Sequence, residues 1–185
     1  MNADERAALL KIARDAITAH VFQDRPRESV PASLATVLAG AFVSIHRHGD
    51  LRGCIGHIEA DRPVAQTVAQ CAVAAGTTDP RFPAVTAAEL PDMEIELSIL
   101  GPLEEITGPD QIEIGRHGLL VERERRRGLL LPQVATEWKW DAPTFLAQTC
   151  RKAGLPMDAW KNGAAVWRFD AEVFSERPAA PAADR

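Results

Sequence analysis

A cysteine flanked by glycines is the part of the sequence whose residue types best suit chemistry. In the segment 51–56 (LRGCIG), Gly53 precedes Cys54, and Gly56 lies two residues after it. Glycine inside a strand usually marks a bend or a close approach to the main chain, so a ligand could come near the backbone here. Strand alternation places Arg52 and Cys54 on one face, and a nearby guanidinium favours the thiolate. The segment therefore predicts a nucleophilic thiol beside an anion-binding arginine.

A purely structural interpretation of the same segment stays open. Cys54 could be a small buried residue in a bulged strand, with Arg52 paired to Glu94 or Glu96. A nucleophilic cysteine also needs a base. The candidate bases, His46, His48 and His57, are each as well explained as exposed polar residues. A hairpin tip rarely closes a coordination sphere, so we expect no metal site from these residues.

A second group of polar residues lies in the segment 79–83 (DPRFP), which two prolines make rigid. Asp79 can accept hydrogen bonds from backbone or arginine groups. Arg81 can bind a carboxylate or a phosphate through two parallel hydrogen bonds. The alternative is a structural pair between Asp79 and Arg81. The segment is thus a candidate wall of a binding site.

Further along the chain, the segment 131–138 (LPQVATEW) offers two more polar candidates, Gln133 and Glu137. The amide of Gln133 both donates and accepts hydrogen bonds. We expect Trp138 and Trp140 to pack in the core, which is the usual place for tryptophan.

Composition limits the classes of function. The 185 residues carry a net charge of −5, with 46% hydrophobic and 25% charged residues, as in an ordinary soluble protein. The acidic balance argues against a nucleic-acid partner, because phosphate neutralisation dominates such binding. The basic run Arg123–Arg127 is interrupted by Glu124, which favours a solvated hairpin tip.

Two further classes are disfavoured by the sequence pattern. The longest uncharged stretch, 29–45, is broken by Pro31 and Gly40, and it is shorter than the roughly 20 apolar residues of a spanning helix. The 3 cysteines include no C-x-x-C pair, so no disulfide framework, zinc ribbon or iron–sulfur cluster is expected. With no signal-peptide pattern at the N-terminus, we expect a cytoplasmic protein that needs no cofactor and does not bind a membrane.

Hydrophobic periodicity predicts an α+β fold with mainly antiparallel strands. We expect a helix over 4–21 capped by Asp4, a hairpin over 41–58, and a helix that Asp61 caps and Gly76 ends. We expect a helix that Asp141 caps and Gly154 ends, and a disordered tail over 177–185. Alternating apolar residues predict further strands over 93–99, 112–114, 119–121, 129–131 and 166–174.

Ordered blocks of sequence resemble the AMMECR family, whose prokaryotic members are called the A component of the AmmeMemoRadiSam system. The signature LRGCIG at 51–56 is accompanied by blocks over about residues 5–176. These blocks are GAFV at 40–43, DPRFP at 79–83, ELPDMEIELSIL at 89–100, IGRHGLL at 114–120, LPQVATEW at 131–138 and KAGLP at 152–156.

The resemblance implies one domain over 5–176, built of two unequal lobes around a cleft beside LRGCIG. It implies an association with a radical SAM enzyme and a Memo-like protein of dioxygenase fold, but no agreed activity. Carried over by position, the site consists of Arg52 and Cys54 as catalytic candidates, with Gly53, Gly56, Asp79, Arg81, Gln133 and Glu137 as binding candidates.

Two functions therefore remain open. The chain could be a cysteine-dependent enzyme or covalent carrier, with Cys54 as nucleophile and Arg52 stabilising the thiolate. Alternatively, it could be a non-catalytic adaptor that binds the radical SAM or the Memo-like protein. The absence of a complete triad, phosphate loop or metal quartet in the sequence favours the adaptor, whereas the glycine-flanked cysteine favours the enzyme.

Overall fold

Helices and antiparallel strands follow one another without strict alternation, which confirms the α+β prediction. The computed structural model of the chain describes residues 1–25 and 30–177. They form two unequal units, Met1–Ile99 with the chain from Glu172 onwards, and Leu100–Ala171. The single domain over 5–176 and the cleft stay predictions. The part of the tail at 178–185 lies outside the described residues.

The first unit contains two helices and three complete strands in the order β2-β1-β3, with the last residues of the final strand beside β3. Both helices bury their apolar faces against Val43, Ile95 and Leu97 of the sheet. The elements are α1 (Ala3–Val21), β1 (Ala41–Arg47), β2 (Asp50–His57), α2 (Val64–Thr77) and β3 (Met93–Leu100), with 3-10 turns at Ala32–Leu34 and Leu90–Asp92.

The second unit is a smaller sheet in the order β4-β7-β5-β6 covered by two helices. Its core surrounds Phe145 and Leu146, which point inward from the longer helix. The elements are β4 (Glu104–Ile106), β5 (His117–Arg123), β6 (Arg126–Leu130), α3 (Pro132–Glu137), α4 (Ala142–Lys152) and β7 (Ala165–Ser175), with 3-10 turns at Pro109–Gln111 and Ala159–Lys161.

The β1–β2 hairpin contains a bulge that decides the geometry around Cys54. A two-residue turn at His48 and Gly49 joins the strands, with φ of 53° and 88°. Ile45 pairs with Gly53 and His46 pairs with Leu51, so Arg52 is an extra residue in β2. The bulge interrupts strand alternation between Arg52 and Cys54. It also brings Cys54 opposite Ser44, whereas a regular register from the same turn would put Gly53 there.

The two glycines of the segment make room for the protein's own atoms. A Cβ at Gly53 would lie 2.1 Å from the carbonyl oxygen of Ala75 in α2. A Cβ at Gly56 would lie 2.3 Å from the ring of Phe42. The prediction that these glycines open the main chain to a ligand is therefore wrong, because the space beside each is occupied.

Two predicted helix caps are wrong, because other groups satisfy the first turns. Asn2, rather than Asp4, caps α1: its side chain accepts from the Glu5 N–H at 2.9 Å, and the Glu5 carboxylate accepts from the Asn2 N–H at 3.0 Å. The α2 helix follows Pro63 without a side-chain cap, and Asp61 pairs with Arg62 instead.

Three further details of the second unit differ from the prediction. The segment 112–114 is no strand, because a turn between Glu113 and His117, with Gly115 at φ 86°, bends the chain there. The short helix α3 was not predicted. Trp138 is 67% exposed rather than buried. Two other predictions for this unit are confirmed: Asp141 caps α4, and the tip of the β5–β6 hairpin is exposed.

No helix within residues 1–25 and 30–177 combines enough length with enough apolar character to cross a membrane.

Candidate functional site

The Asp79 carboxylate ties the DPRFP loop to strand β2. Asp79 is only 3% exposed, and one of its oxygens accepts the backbone N–H of Cys54 at 2.9 Å. The Asp79 carboxylate also accepts three hydrogen bonds from Arg81. The backbone N–H donates at 3.1 Å, and two guanidinium nitrogens donate at 2.9 and 2.7 Å. These hydrogen bonds, led by those from Arg81, hold the pKa of Asp79 well below its ordinary value. The carboxylate therefore fixes both Cys54 and Arg81.

Arg52 pairs with Glu89, a residue outside the predicted site. Its Nε and Nη2 donate to the two Glu89 oxygens at 2.8 and 3.3 Å. The same carboxylate accepts the backbone N–H of Thr86 at 2.9 Å and its hydroxyl at 3.0 Å. Arg52 chiefly, with Thr86, lowers the pKa of Glu89 to about 2. The predicted pairing of Arg52 with Glu94 or Glu96 is wrong, because its guanidinium is bound to Glu89 in the loop before β3.

Phe82 brings the two arginines of the site to one place. The guanidinium carbons of Arg52 and Arg81 lie 5.9 and 5.4 Å from the centroid of its ring, within the range of cation–π attraction. Arg81 remains 54% exposed although Asp79 anchors it. We call Arg52, Arg81 and Phe82 together the arginine–phenylalanine surface.

The Cys54 thiol is half-buried and favours its protonated form. Burial raises its pKa above the ordinary cysteine value. A hydrogen bond of 3.3 Å from the Ser44 hydroxyl and the positive charge of Arg81 lower it, but Asp79 adds to the increase. The predicted activation of this thiol by Arg52 is therefore wrong: Arg52 is bound to Glu89, and the net shift is upward.

The three candidate bases near the segment have other surroundings. His57 lies 2.9 Å from Asp61 and 3.5 Å from Glu59, and His48 lies 3.9 Å from Asp92. His46 buries its Nε2 without a hydrogen-bond partner in the described part of the chain. The Sγ of Cys54 is instead hydrogen-bonded to Ser44, which is not a base.

Two hollows of the first unit lie along its helices. A cavity of about 570 Å³ is lined by Ala16, Val73 and their neighbours on α1 and α2, and one of about 430 Å³ by Ile12 and Gln66; Cys54 lines neither. Across residues 1–25 and 30–177, His, Cys, Asp and Glu form no group of three suited to a metal ion.

The remaining predicted site residues lie in the second unit, on α3. Gln133 is half-buried, and its Oε1 has no hydrogen-bond partner among the residues that the structure describes. Glu137, one turn further on, is exposed. That these two residues belong to the same site as Cys54 stays a prediction.

Three residues of the site were missed by sequence reasoning, Ser44, Phe82 and Glu89. A signal existed for Glu89, because Thr86 and Glu89 form the T-x-x-E pattern in which the carboxylate reaches back to the threonine N–H. Ser44 had no such signal, since it faces Cys54 only because of the bulge.

Comparisons with known proteins agree with this fold. The AMMECR1 family model matches residues 10–174. A protein of Methanothermobacter thermautotrophicus is 44% identical over 186 residues, covering 95% of this chain and 96% of its own. One of Thermococcus onnurineus is 44% identical over 182 residues, covering 91% and 88%.

A solved structure shows the same fold. The crystal structure of the uncharacterised protein PH0010 from Pyrococcus horikoshii matches with a TM-score of 0.85 and 39% identity, and the match covers 94% of this chain and 92% of that one. From the family model, the relatives and the shared fold together, we conclude that the chain belongs to the AMMECR1 family.

Proposed function

We propose that this chain is a non-catalytic binding component that holds a partner protein on its arginine–phenylalanine surface. The partners that the family resemblance suggests are a radical SAM enzyme and a Memo-like protein. In this proposal the segment 51–56 has a structural task, which is to position Arg52, Arg81 and Phe82.

The observation that carries the proposal is the pair of contacts that the Asp79 carboxylate makes. Its buried carboxylate accepts the N–H of Cys54 and the guanidinium of Arg81 at once. A carboxylate this close adds negative charge beside the thiol, which opposes thiolate formation. The same contacts give Arg81 a fixed position at the surface. The arrangement therefore suits recognition better than nucleophilic attack.

The chemistry of the surface is that of a preformed protein interface. Arginine and aromatic side chains are over-represented among the residues that contribute most to protein–protein affinity. Here each guanidinium is already held by a carboxylate, so little side-chain freedom would be lost on binding. A partner would pack on Phe82 and use the remaining guanidinium donors of Arg81, which is 54% exposed.

Co-elution with purified radical SAM and Memo-like proteins tests the proposal. Phe82→Ala should weaken binding of one of them by about tenfold or more, as expected for a central interface residue. Phe22→Ala is the matched control, because Phe22 is 61% exposed at the end of α1 and is not one of the three residues of this surface. Equal binding by wild type and Phe82→Ala would contradict the proposal.

A covalent carrier is the second candidate, and one observation favours it. The Sγ of Cys54 accepts a hydrogen bond from Ser44, and the positive charge of Arg81 is close to it. Both interactions lower the pKa of the thiol, whereas burial raises it. If this candidate is right, mass spectrometry of the protein isolated from its host should find an adduct on Cys54 that is absent from Cys71. Unmodified Cys54 under non-reducing isolation would count against it.

A further inference from the structure

The basic side chains of the second unit fall into two groups. Glu104 pairs with Arg168 at 2.8 Å, and Asp170 and Glu113 pair with Arg116 at 3.0 and 3.2 Å. Most of the other basic side chains of this unit lie on the β5–β6 hairpin tip, at the end of α4 and in the loop that follows. We call this set the basic end: Arg123, Arg125, Arg126, Arg127, Arg151, Lys152 and Lys161. One of them, Arg127, pairs with Glu122 at 3.3 Å.

Contacts within the unit show that the members of the basic end form one surface. Arg126 donates to the carbonyl oxygen of Gly154 at 3.0 Å, and Arg123 donates to that of Asn162 at 3.4 Å. The backbone at Gly128 in β6 approaches Ala153 so closely that a Cβ would lie 2.4 Å from its nitrogen. The hairpin therefore lies against the end of α4 and the loop 154–162.

The basic end also carries hydrophobic groups of the kind found at interfaces. Met157 is 49% exposed in the loop 154–162. Trp160 is half-buried in the same loop, with the Lys161 ammonium 4.9 Å from its ring centroid. Cations around an exposed methionine and a partly exposed tryptophan match the residue preferences of protein interfaces.

We propose that the basic end is a docking surface for an acidic segment of a partner protein. The patch is complementary to a run of Asp and Glu, and its Met157 and Trp160 can bury an apolar residue between the acids. A nucleic acid fits less well, because Glu122, Glu124 and Asp158 lie among the cations and the whole chain carries −5. The basic end shares no residue with the arginine–phenylalanine surface, and its proposal does not depend on the function proposed for that surface.

Fluorescence anisotropy with a labelled oligoglutamate peptide tests this proposal on the full chain. We expect binding that weakens several-fold between about 50 and 200 mM salt, since screening shortens the reach of exposed charges. The double variant Arg125→Glu with Lys152→Glu should weaken binding by about tenfold. Both side chains are exposed, so the melting temperature should not change, and this would show that the variant folds.

The control reverses the charge of two basic residues in the first unit. Lys11→Glu with Arg62→Glu, in the first unit, should leave peptide binding within about twofold of wild type. The proposal is overturned if the two double variants weaken binding equally, if no binding occurs at low salt, or if labelled single-stranded DNA binds more tightly than the peptide. Dimerisation of wild type that the basic-end variant abolishes would assign the surface to a second copy instead and would also overturn it.

Discussion

At the scale of single residues, Asp79 is the group on which the site most depends. Asp79→Asn removes the charge and one acceptor from a buried carboxylate that serves Cys54 and Arg81. Breaking such a buried network costs about 2–4 kcal/mol of unfolding free energy. Urea denaturation should show this loss.

Asp92→Asn is the matched control, because its side chain is 46% exposed and lies 3.6 Å from Arg47. Exposed ion pairs of this kind contribute less than about 1 kcal/mol. Equal losses in the two variants would show that Asp79 has no special part in the site.

The reactivity of Cys54 is a second prediction at this scale. Because burial raises the pKa of the thiol, alkylation by iodoacetamide should be slow at neutral pH and should still accelerate above the ordinary cysteine pKa of about 8.5. Arg81→Met should shift the pKa further upward, since it removes a positive charge. Site-resolved mass spectrometry over a pH series measures both effects. A rate that reaches a plateau below pH 8 would contradict them.

Sequence reasoning found most residues of the site but misplaced their partners. Asp79 and Arg81 lie two residues apart in a rigid loop, so their pairing could be anticipated from local sequence. The partner of Arg52 could not, because it is a residue 37 positions away. Long-range contacts of this kind are set by tertiary packing, which a single sequence does not display.

At the scale of elements, the contact of β2 with α2 explains why Gly53 precedes Cys54. Gly53→Ala would drive a Cβ to 2.1 Å from the Ala75 carbonyl oxygen, so the helix or the strand must shift. We expect a loss of at least about 2 kcal/mol, typical of overpacking against backbone. Thermal or urea unfolding measures the loss.

Gly108→Ala provides the comparison for that substitution. Its Cβ would meet only the end of the Asp110 side chain, at 2.7 Å, and that flexible group can move away. Its effect should stay within about 1 kcal/mol. The packing explanation fails if Gly53→Ala is no more destabilising than Gly108→Ala.

Regular elements were predictable where hydrophobic periodicity and turn chemistry agree. The β1–β2 hairpin follows from alternating residues around His48 and Gly49, and α4 from the Asp141 cap. The helix α3 was missed because it has six residues, too few to show a period. The segment 112–114 alternates like a strand, but Gly115 turns the chain before a partner can pair.

At the scale of the whole molecule, depressed carboxylate pKa values predict loss of stability in acid. The pKa of Glu89 falls from an ordinary 4.5 to about 2 in the folded chain. Its contribution is therefore complete above about pH 4.5 and is lost as the pH falls from there towards 2. Asp79 acts in the same direction.

Urea unfolding of wild type and Glu89→Gln across this pH range checks the effect. The variant should be less stable near neutrality by about 2 kcal/mol, after allowance for solvent screening, and the difference should shrink below about pH 4. A difference that stays constant from pH 6 to 3 would show that the Arg52–Glu89 pair does not contribute through its charge.

The central claim is that this chain binds a partner without using Cys54 as a nucleophile, and titration calorimetry of Cys54→Ser with the co-eluting partner tests it most directly. Serine keeps the size of the side chain, and the backbone N–H held by Asp79 is unchanged. The account predicts a Kd within about twofold of wild type, since the thiol contributes little to the surface. A Kd weakened by tenfold or more, in a variant with unchanged thermal stability, would contradict it.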